Sequence, residues 1–118
     1  PIANWGAKGE LQQRTAELEQ SRISFENQRK TLKQQVYSQM RQLRSAIAKA
    51  KLYKANLIVA ERTLKTDRAL RDAGRKIEKD VLDSIVLVQN AKAELLSARS
   101  DYQIALVELA RLKGKVFP

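Results

Sequence analysis

The sequence predicts an all-α protein, a long antiparallel helical hairpin in which one helix is nearly twice as long as the other. Between Gly9 and Gly74 the chain contains neither proline nor glycine, and neither occurs again before Gly114. Apolar residues recur every seven positions on both sides of Gly74, which is the only helix breaker between the two periodic runs. Chains rich in Ala, Glu, Lys, Leu and Arg with so few breakers are typical of extended helices.

The first helix is predicted over 7–73, about 67 residues, with a length on the order of 100 Å. An extended segment over 1–6 leads into it. Its apolar pattern has two heptad series offset by four residues, a stutter that unwinds the supercoil locally. The series are Leu11, Leu18, Phe25 and Leu32, then Val36, Leu43, Ala50, Leu57 and Leu64. A further row, Ala46, Tyr53 and Ala60, runs beside the second series, and we expect the two rows to face two different neighbours.

The second helix is predicted over 79–113, about 35 residues, after a tip turn over 74–78. At this length it can pair with only the half of the first helix nearest the tip, and an extended segment over 114–118 follows it. It also carries two rows, Val88, Leu95, Tyr102 and Leu109, and Ala91, Ala98, Ala105 and Leu112. We expect the large residues to form one seam and the smaller residues to admit another helix on a second face.

The composition argues against catalysis. The chain has no histidine and no cysteine, so it lacks the commonest general base and any thiolate nucleophile or metal ligand. No glycine-rich phosphate loop is present. We therefore expect neither an enzyme nor a bound cofactor or metal. No apolar run approaches the roughly 20 residues that span a bilayer as a helix. Because the chain starts at Pro1 without a visible signal peptide, we expect it to be a processed or excised piece.

The net charge of +10 is concentrated in the middle of the first helix. Eight basic residues and no acid lie between Asn27 and Ala60: Arg29, Lys30, Lys33, Arg41, Arg44, Lys49, Lys51 and Lys54. Such a stripe can bind nucleic acid or anionic lipid, or it can be a solvated face turned toward acidic partners. Interleaved aromatic residues and a known nucleic-acid module are both missing, so we expect no nucleic-acid partner.

The least generic chemistry is at the predicted tip. Asp80 and Asp83, spaced i, i+3, share roughly one face of the second helix near its N-terminus, where the helix dipole favours negative charge. Basic residues surround them. The candidate tip site consists of six residues: Arg71, Gly74, Arg75, Lys76, Asp80 and Asp83.

Three segments of the chain resemble the outer-membrane efflux proteins, the TolC-like exit ducts. They are Pro1-Ile2-Ala3-Asn4-Trp5-Gly6, the tip from Gly74 to Asp80-Val81-Leu82-Asp83, and the returning helix with Asn90-Ala91-Lys92, Glu94-Leu95, Ala98-Arg99, Tyr102, Leu112 and Gly114. The resemblance covers essentially the whole chain and is closest to the second of the family's two internal repeats. Its specificity lies in the order and spacing of these residues.

The resemblance implies one hairpin of a coiled-coil α-barrel. In the family, three protomers form one periplasmic tunnel below an outer-membrane barrel, and that barrel would lie outside this segment. The tunnel is a passive conduit for drug efflux or type I secretion. Its tip docks to a periplasmic adaptor protein and an inner-membrane transporter.

Carried over residue by residue, Asp80 and Asp83 match the aspartates that ring the closed aperture of the family. Gly74 matches the turn glycine, and Lys76 matches a basic residue that ties the tip shut. The sequence departs from the family at Ile77, where Ser or Thr usually caps the second helix, and at Arg71, where an aromatic residue is common.

Two other functions are compatible with a helical hairpin. One is the α-hairpin of a periplasmic adaptor (membrane fusion) protein, but adaptor arms are more equal in length. The other is a basic scaffolding coiled coil, which does not require the glycine turn or the stutter.

Overall fold

The computed structural model shows a single helical hairpin. Helix α1 runs from Ile2 to Asp72 and helix α2 from Glu78 to Val116, with a turn over 73–77 between them. The structure describes residues 2–116, with side chains over 5–116. The hairpin is a rod of 108 × 21 × 14 Å with a radius of gyration of 29.6 Å. The predicted all-α hairpin with one long arm is therefore confirmed, with helices of 71 and 39 residues.

Both helices extend farther from the tip than the sequence predicts. The prediction of extended segments over 1–6 and 114–118 is wrong for residues 2–6 and 114–116, which are helical; Pro1, Phe117 and Pro118 lie outside the described residues. Gly114 does not end α2, since among the described glycines only Gly74 has a positive φ. A single glycine weakens a helix by only about 0.5–1 kcal/mol relative to alanine, and the cooperativity of a long helix tolerates that. The turn itself begins one residue earlier than predicted.

One seam holds the two helices together. The buried residues of α2 recur at intervals of three and four, except between Ala98 and Ala105, where the half-buried Tyr102 fills the interval of seven. They are Val81, Ser84, Val88, Ala91, Leu95, Ala98, Ala105, Leu109 and Leu112. The large and the small rows are therefore both part of this seam, and the prediction that they face different neighbours is wrong. Rows three and four residues apart lie on the same side of a helix, as a and d positions do in a coiled coil. The same correction applies to the row of Ala46, Tyr53 and Ala60 on α1, which is half-buried beside Ala50 and Leu57.

Two apolar surfaces stay uncovered in this single chain. The face of α2 opposite the seam exposes Leu82, Val86, Leu96, Ile104 and Val107. The half of α1 far from the tip exposes Leu11, Leu18 and Phe25, because α2 ends beside Phe25 and Leu32. As predicted, α2 pairs only with the half of α1 nearest the tip.

Candidate functional site

The turn that closes the hairpin is a glycine-terminated helix end. Gly74 has a φ of +75°, the left-handed conformation that only glycine adopts without strain. The amide of Gly74 donates to the carbonyl of Arg71 (2.9 Å), and the amide of Arg75 donates to the carbonyl of Leu70 (2.8 Å). These two bonds form a Schellman motif, which satisfies the last carbonyls of α1. The chain reversal predicted at Gly74 is thus present.

The second helix starts without a side-chain cap. Ile77 is the N-cap residue, since its carbonyl accepts the amide of Asp80 at 3.1 Å. Its side chain is 64% exposed and offers no acceptor. The first turn of α2 carries Glu78 and Asp80, and their negative charge is favourable at a helix N-terminus.

A buried acid on α1 holds the turn and the second helix together. Asp67, 5% exposed, accepts a hydrogen bond from Lys76 Nζ at 2.7 Å on one carboxylate oxygen. Its other oxygen accepts from the hydroxyl of Ser84, a residue of α2 that is 3% exposed. One carboxylate of α1 is therefore hydrogen-bonded to both the turn and α2.

The hydrogen bonds from Lys76 and Ser84 lower the pKa of Asp67, against the opposing effect of desolvation. In return, the hydrogen bond to Asp67 raises the pKa of Lys76, and the nearby charge of Asp80 adds to the increase. Both groups are therefore charged over the whole neutral range. The cluster is a hydrogen-bonded ion pair in which Asp67 is buried and Lys76 is partly exposed.

A second, more exposed ion pair spans the turn. Arg71 Nη1 donates to both carboxylate oxygens of Glu78, at 3.2 and 3.1 Å, and Arg71 Nε donates to Asp72 at 3.3 Å. Because Glu78 is the first residue of α2, this pair also links the end of α1 to the start of α2. The pKa of Arg71 is raised by the two acids, although desolvation, the largest single effect, acts in the opposite direction.

The structure divides the six predicted tip residues into two groups. Gly74, the side chains of Lys76 and Arg71 and the backbone amide of Arg75 form the bonds of the turn described above. The side chains of Arg75 and Asp83 are exposed and that of Asp80 is half-buried, and none of the three forms an ion pair with another residue of 5–116.

Sequence reasoning missed Asp67, Ser84 and Glu78. Asp67 follows Ala60 by seven residues and Ser84 precedes Ala91 by seven. Extending each apolar row by one more heptad therefore brings two polar residues into the seam beside the tip. A polar residue at a seam position is the signal that points to a buried partner.

The two sides of the seam differ in charge. On one side, the groove between the helices is lined by six basic residues and one acid: Lys51, Lys54, Lys65, Arg68, Lys92, Arg99 and Glu61. We call it the basic groove. The groove on the opposite side contains Lys49, Asp101 and Glu108. Asp80 lies in the same heptad row as Asp101 and Glu108, three and four heptads earlier.

These features define a class of protein. The chain is a coiled-coil hairpin whose tip is held by hydrogen bonds and ion pairs. One groove beside the seam is basic, the other carries more acids, and α2 exposes an apolar stripe. This combination is expected of a helical hairpin that forms part of the wall of a larger assembly. The family model of the outer membrane efflux proteins matches residues 1–115. The chain therefore belongs to the outer membrane efflux protein family. No curated protein sequence and no solved structure matches it.

Family membership decides between the functions left open by the sequence. Outer membrane efflux proteins are transport channels, not enzymes, and they work as trimers with adaptors and pumps. The family is located in the bacterial outer membrane and extends a helical tunnel into the periplasm. Neither helix, as far as the structure describes it, has an apolar stretch that would cross a bilayer. Within the same residues no cluster of acids is placed to hold a metal ion.

Proposed function

We propose that this chain is a wall segment of the periplasmic tunnel in a trimeric outer-membrane channel for drug efflux or type I secretion. The observation that carries the proposal is the uncovered apolar stripe on α2, on the side that faces away from its seam with α1. A helix that is apolar on two opposite faces needs a neighbour on each, as a helix in the wall of a barrel has. Transport through such a wall is passive, with energy supplied by the partners.

The charges suggest which side of the hairpin faces the lumen. In a wall one helix thick, the two grooves beside the seam face the interior and the exterior. We place the acidic row of Asp80, Glu94, Asp101 and Glu108 inside, so that three copies give rings of negative charge along the conduit. Rings of carboxylates favour the passage of cations. The basic groove then faces outward.

The tip is proposed as the docking and gating end. The six predicted tip residues lie at the end of the rod, far from both chain ends, where an adaptor and an inner-membrane pump would be met. Asp80 and Asp83 are not used by any ion pair of their own hairpin over residues 5–116. Both carboxylates are therefore available to line an aperture ring.

The test is the ion selectivity of the intact channel in a planar lipid bilayer, measured as the reversal potential in a salt gradient. The double substitution Asp80→Asn with Asp83→Asn should reduce the preference for cations and raise the conductance of the closed form. Glu61→Gln removes the one acid of the basic groove and is the matched control, with an unchanged reversal potential. A shift with Glu61→Gln and none with the tip variants would reverse the proposed orientation.

A further inference from the structure

Asp67 is the only charged side chain, among those described, that is buried in the seam. Burying a carboxylate is unfavourable unless it is paired and hydrogen-bonded. Here both requirements are met by residues from outside α1, with Lys76 donating from the turn and Ser84 from α2. The turn, by contrast, contains no apolar side chain in the seam; its one large apolar residue, Ile77, points to solvent. Polar bonds therefore hold the turn in place.

We propose that Asp67 is a positioning residue for the tip: its buried carboxylate fixes the turn against the end of the seam by holding Lys76 and Ser84 together. The ammonium of Lys76 is then bound within its own hairpin. The tip moves as one rigid body with the last heptad of the seam, and Asp80, in the first turn of α2, is held in a fixed position relative to α1.

This assignment changes the role expected of Lys76. The resemblance to the efflux family implies that a basic residue here ties the tip shut. In this chain Lys76 donates at 2.7 Å to an acid of its own first helix. Its effect on gating is then indirect, through the stiffness of the tip. This last step rests on the proposed channel function, whereas the contacts within the hairpin do not.

The first test uses amide hydrogen exchange in the 118-residue chain, followed residue by residue by NMR. The amides of Gly74 and Arg75 report on the turn, since both are hydrogen-bonded to α1. Asp67→Asn keeps the shape of the side chain and removes its charge. It should accelerate exchange of these two amides by roughly tenfold or more, the factor associated with losing a charged hydrogen bond. The amide of Leu95, in the middle of the seam, should change much less.

Asp83→Asn is the matched control, because Asp83 is an exposed acid of the same tip without an ion pair. It should leave exchange at Gly74 and Arg75 unchanged. Lys76→Met removes the donor of the bond to Asp67 and changes a residue of the turn and not of the seam. Exchange at Gly74 and Arg75 can therefore be measured in this variant even if Asp67→Asn weakens the fold. Equal acceleration at Leu95 and at the turn would mean that Asp67 only adds global stability, and would overturn the positioning role.

The second test is the coupling of two substitutions in the intact channel, read as closed-form conductance in a planar bilayer. If Lys76 acts through Asp67, then Lys76→Met and Asp67→Asn have similar effects, and the double variant adds nothing to either. Additive effects would show that Lys76 acts on a different partner, and would overturn the inference while leaving the proposed channel intact. A chain that forms no conductance in any variant would instead refute the proposed function, without affecting the exchange result.

Discussion

Gly74 and Gly114 occupy opposite situations in the same chain. Gly74 is held at a φ of +75°, while Gly114 lies inside α2 without a positive φ. A Cβ added at either position would meet nothing within 4 Å, so only the backbone distinguishes them. The pair therefore isolates the conformational requirement of the turn from any effect of packing.

We predict that Gly74→Ala destabilises the hairpin by about 1–2 kcal/mol, the usual penalty for an L-residue in the left-handed region. Gly114→Ala should stabilise α2 by about 0.5–1 kcal/mol, since alanine is the better helix former. Urea unfolding followed by circular dichroism measures both. A Gly74→Ala chain as stable as the parent would mean that the turn does not need this conformation.

The ion pair of Asp67 and Lys76 predicts a dependence of stability on pH at both extremes. The folded pKa of Asp67 lies below its ordinary value of 3.8, so its contribution is complete above that value and is lost as the pH falls through the folded pKa. The folded pKa of Lys76 lies above its ordinary value of 10.5, so its contribution is complete below 10.5 and is lost as the pH rises beyond it. Stability from this pair is therefore flat across the neutral range.

The measurement is the thermal midpoint as a function of pH, by circular dichroism, for the parent chain and for Asp67→Asn. We expect the parent to lose its advantage over the variant below pH 3.8 and to keep it between about pH 5 and 9. Glu108→Gln serves as the comparison. Arg111 also lowers the pKa of Glu108, but both side chains are partly exposed and both lie on α2, so this pair does not join the two helices. An advantage that does not change in acid would contradict the bonded pair.

At the scale of the helices, the seam decides which of two adjacent leucines matters for stability. Leu95 is 6% exposed and Leu96 is 68% exposed, although they are neighbours of identical chemistry. Leu95→Ala should cost about 2–5 kcal/mol, as truncations of buried leucines do. Leu96→Ala should change the free energy of unfolding by no more than about 0.5 kcal/mol in the isolated chain.

Urea unfolding of the two variants, compared by circular dichroism, checks this prediction. In the assembled channel the losses of stability caused by Leu95→Ala and Leu96→Ala should be more similar, because Leu96 belongs to the stripe that we place against a neighbouring helix. A large loss for Leu96→Ala in the monomeric chain would mean that the outer stripe of α2 is already covered there.

At the scale of the whole molecule, the fold predicts a thin rod. The rod is 108 Å long, and its radius of gyration is 29.6 Å. A compact domain of this size would have a radius of gyration of roughly 13–15 Å. Small-angle scattering combined with light scattering should give a maximum dimension near 108 Å for the monomer. A compact particle would show that α1 is broken and folded on itself. A larger mass would show that the uncovered apolar surfaces pair between copies.

The long α1 predicts that this hairpin alone has limited stability. Over residues 5–31, α1 has no contact with α2 to support it beyond the end of α2 near Phe25, and its side chains form local contacts within the helix, such as the exposed ion pairs Glu10–Arg14 and Glu19–Arg22. Such pairs contribute only about 0.2–0.5 kcal/mol each. Packing against neighbouring helices supplies most of the stability of an amphipathic helix. We therefore expect this half to gain most from assembly.

The amino-acid sequence determined the two helices, the reversal at Gly74 and the missing cap at Ile77, because these depend on local conformation and on breakers that act over a few residues. Heptad spacing also identified the two apolar rows of α2 to which Leu95 and Ala98 belong. Spacing did not decide whether two adjacent rows serve one neighbour or two, since that depends on where the partner helix lies.

Only the tertiary structure decided the chemistry of the tip. Asp67 and Ser84 are 17 residues apart, and each is an ordinary polar residue until the chain reversal brings them together in the seam. Lys76 matched a family position by spacing, but its partner is chosen by distance in space, and the nearest buried acid is on its own first helix. Helix boundaries follow from short-range energies, whereas the pairing of charges follows from burial, which exists only after the two helices have packed.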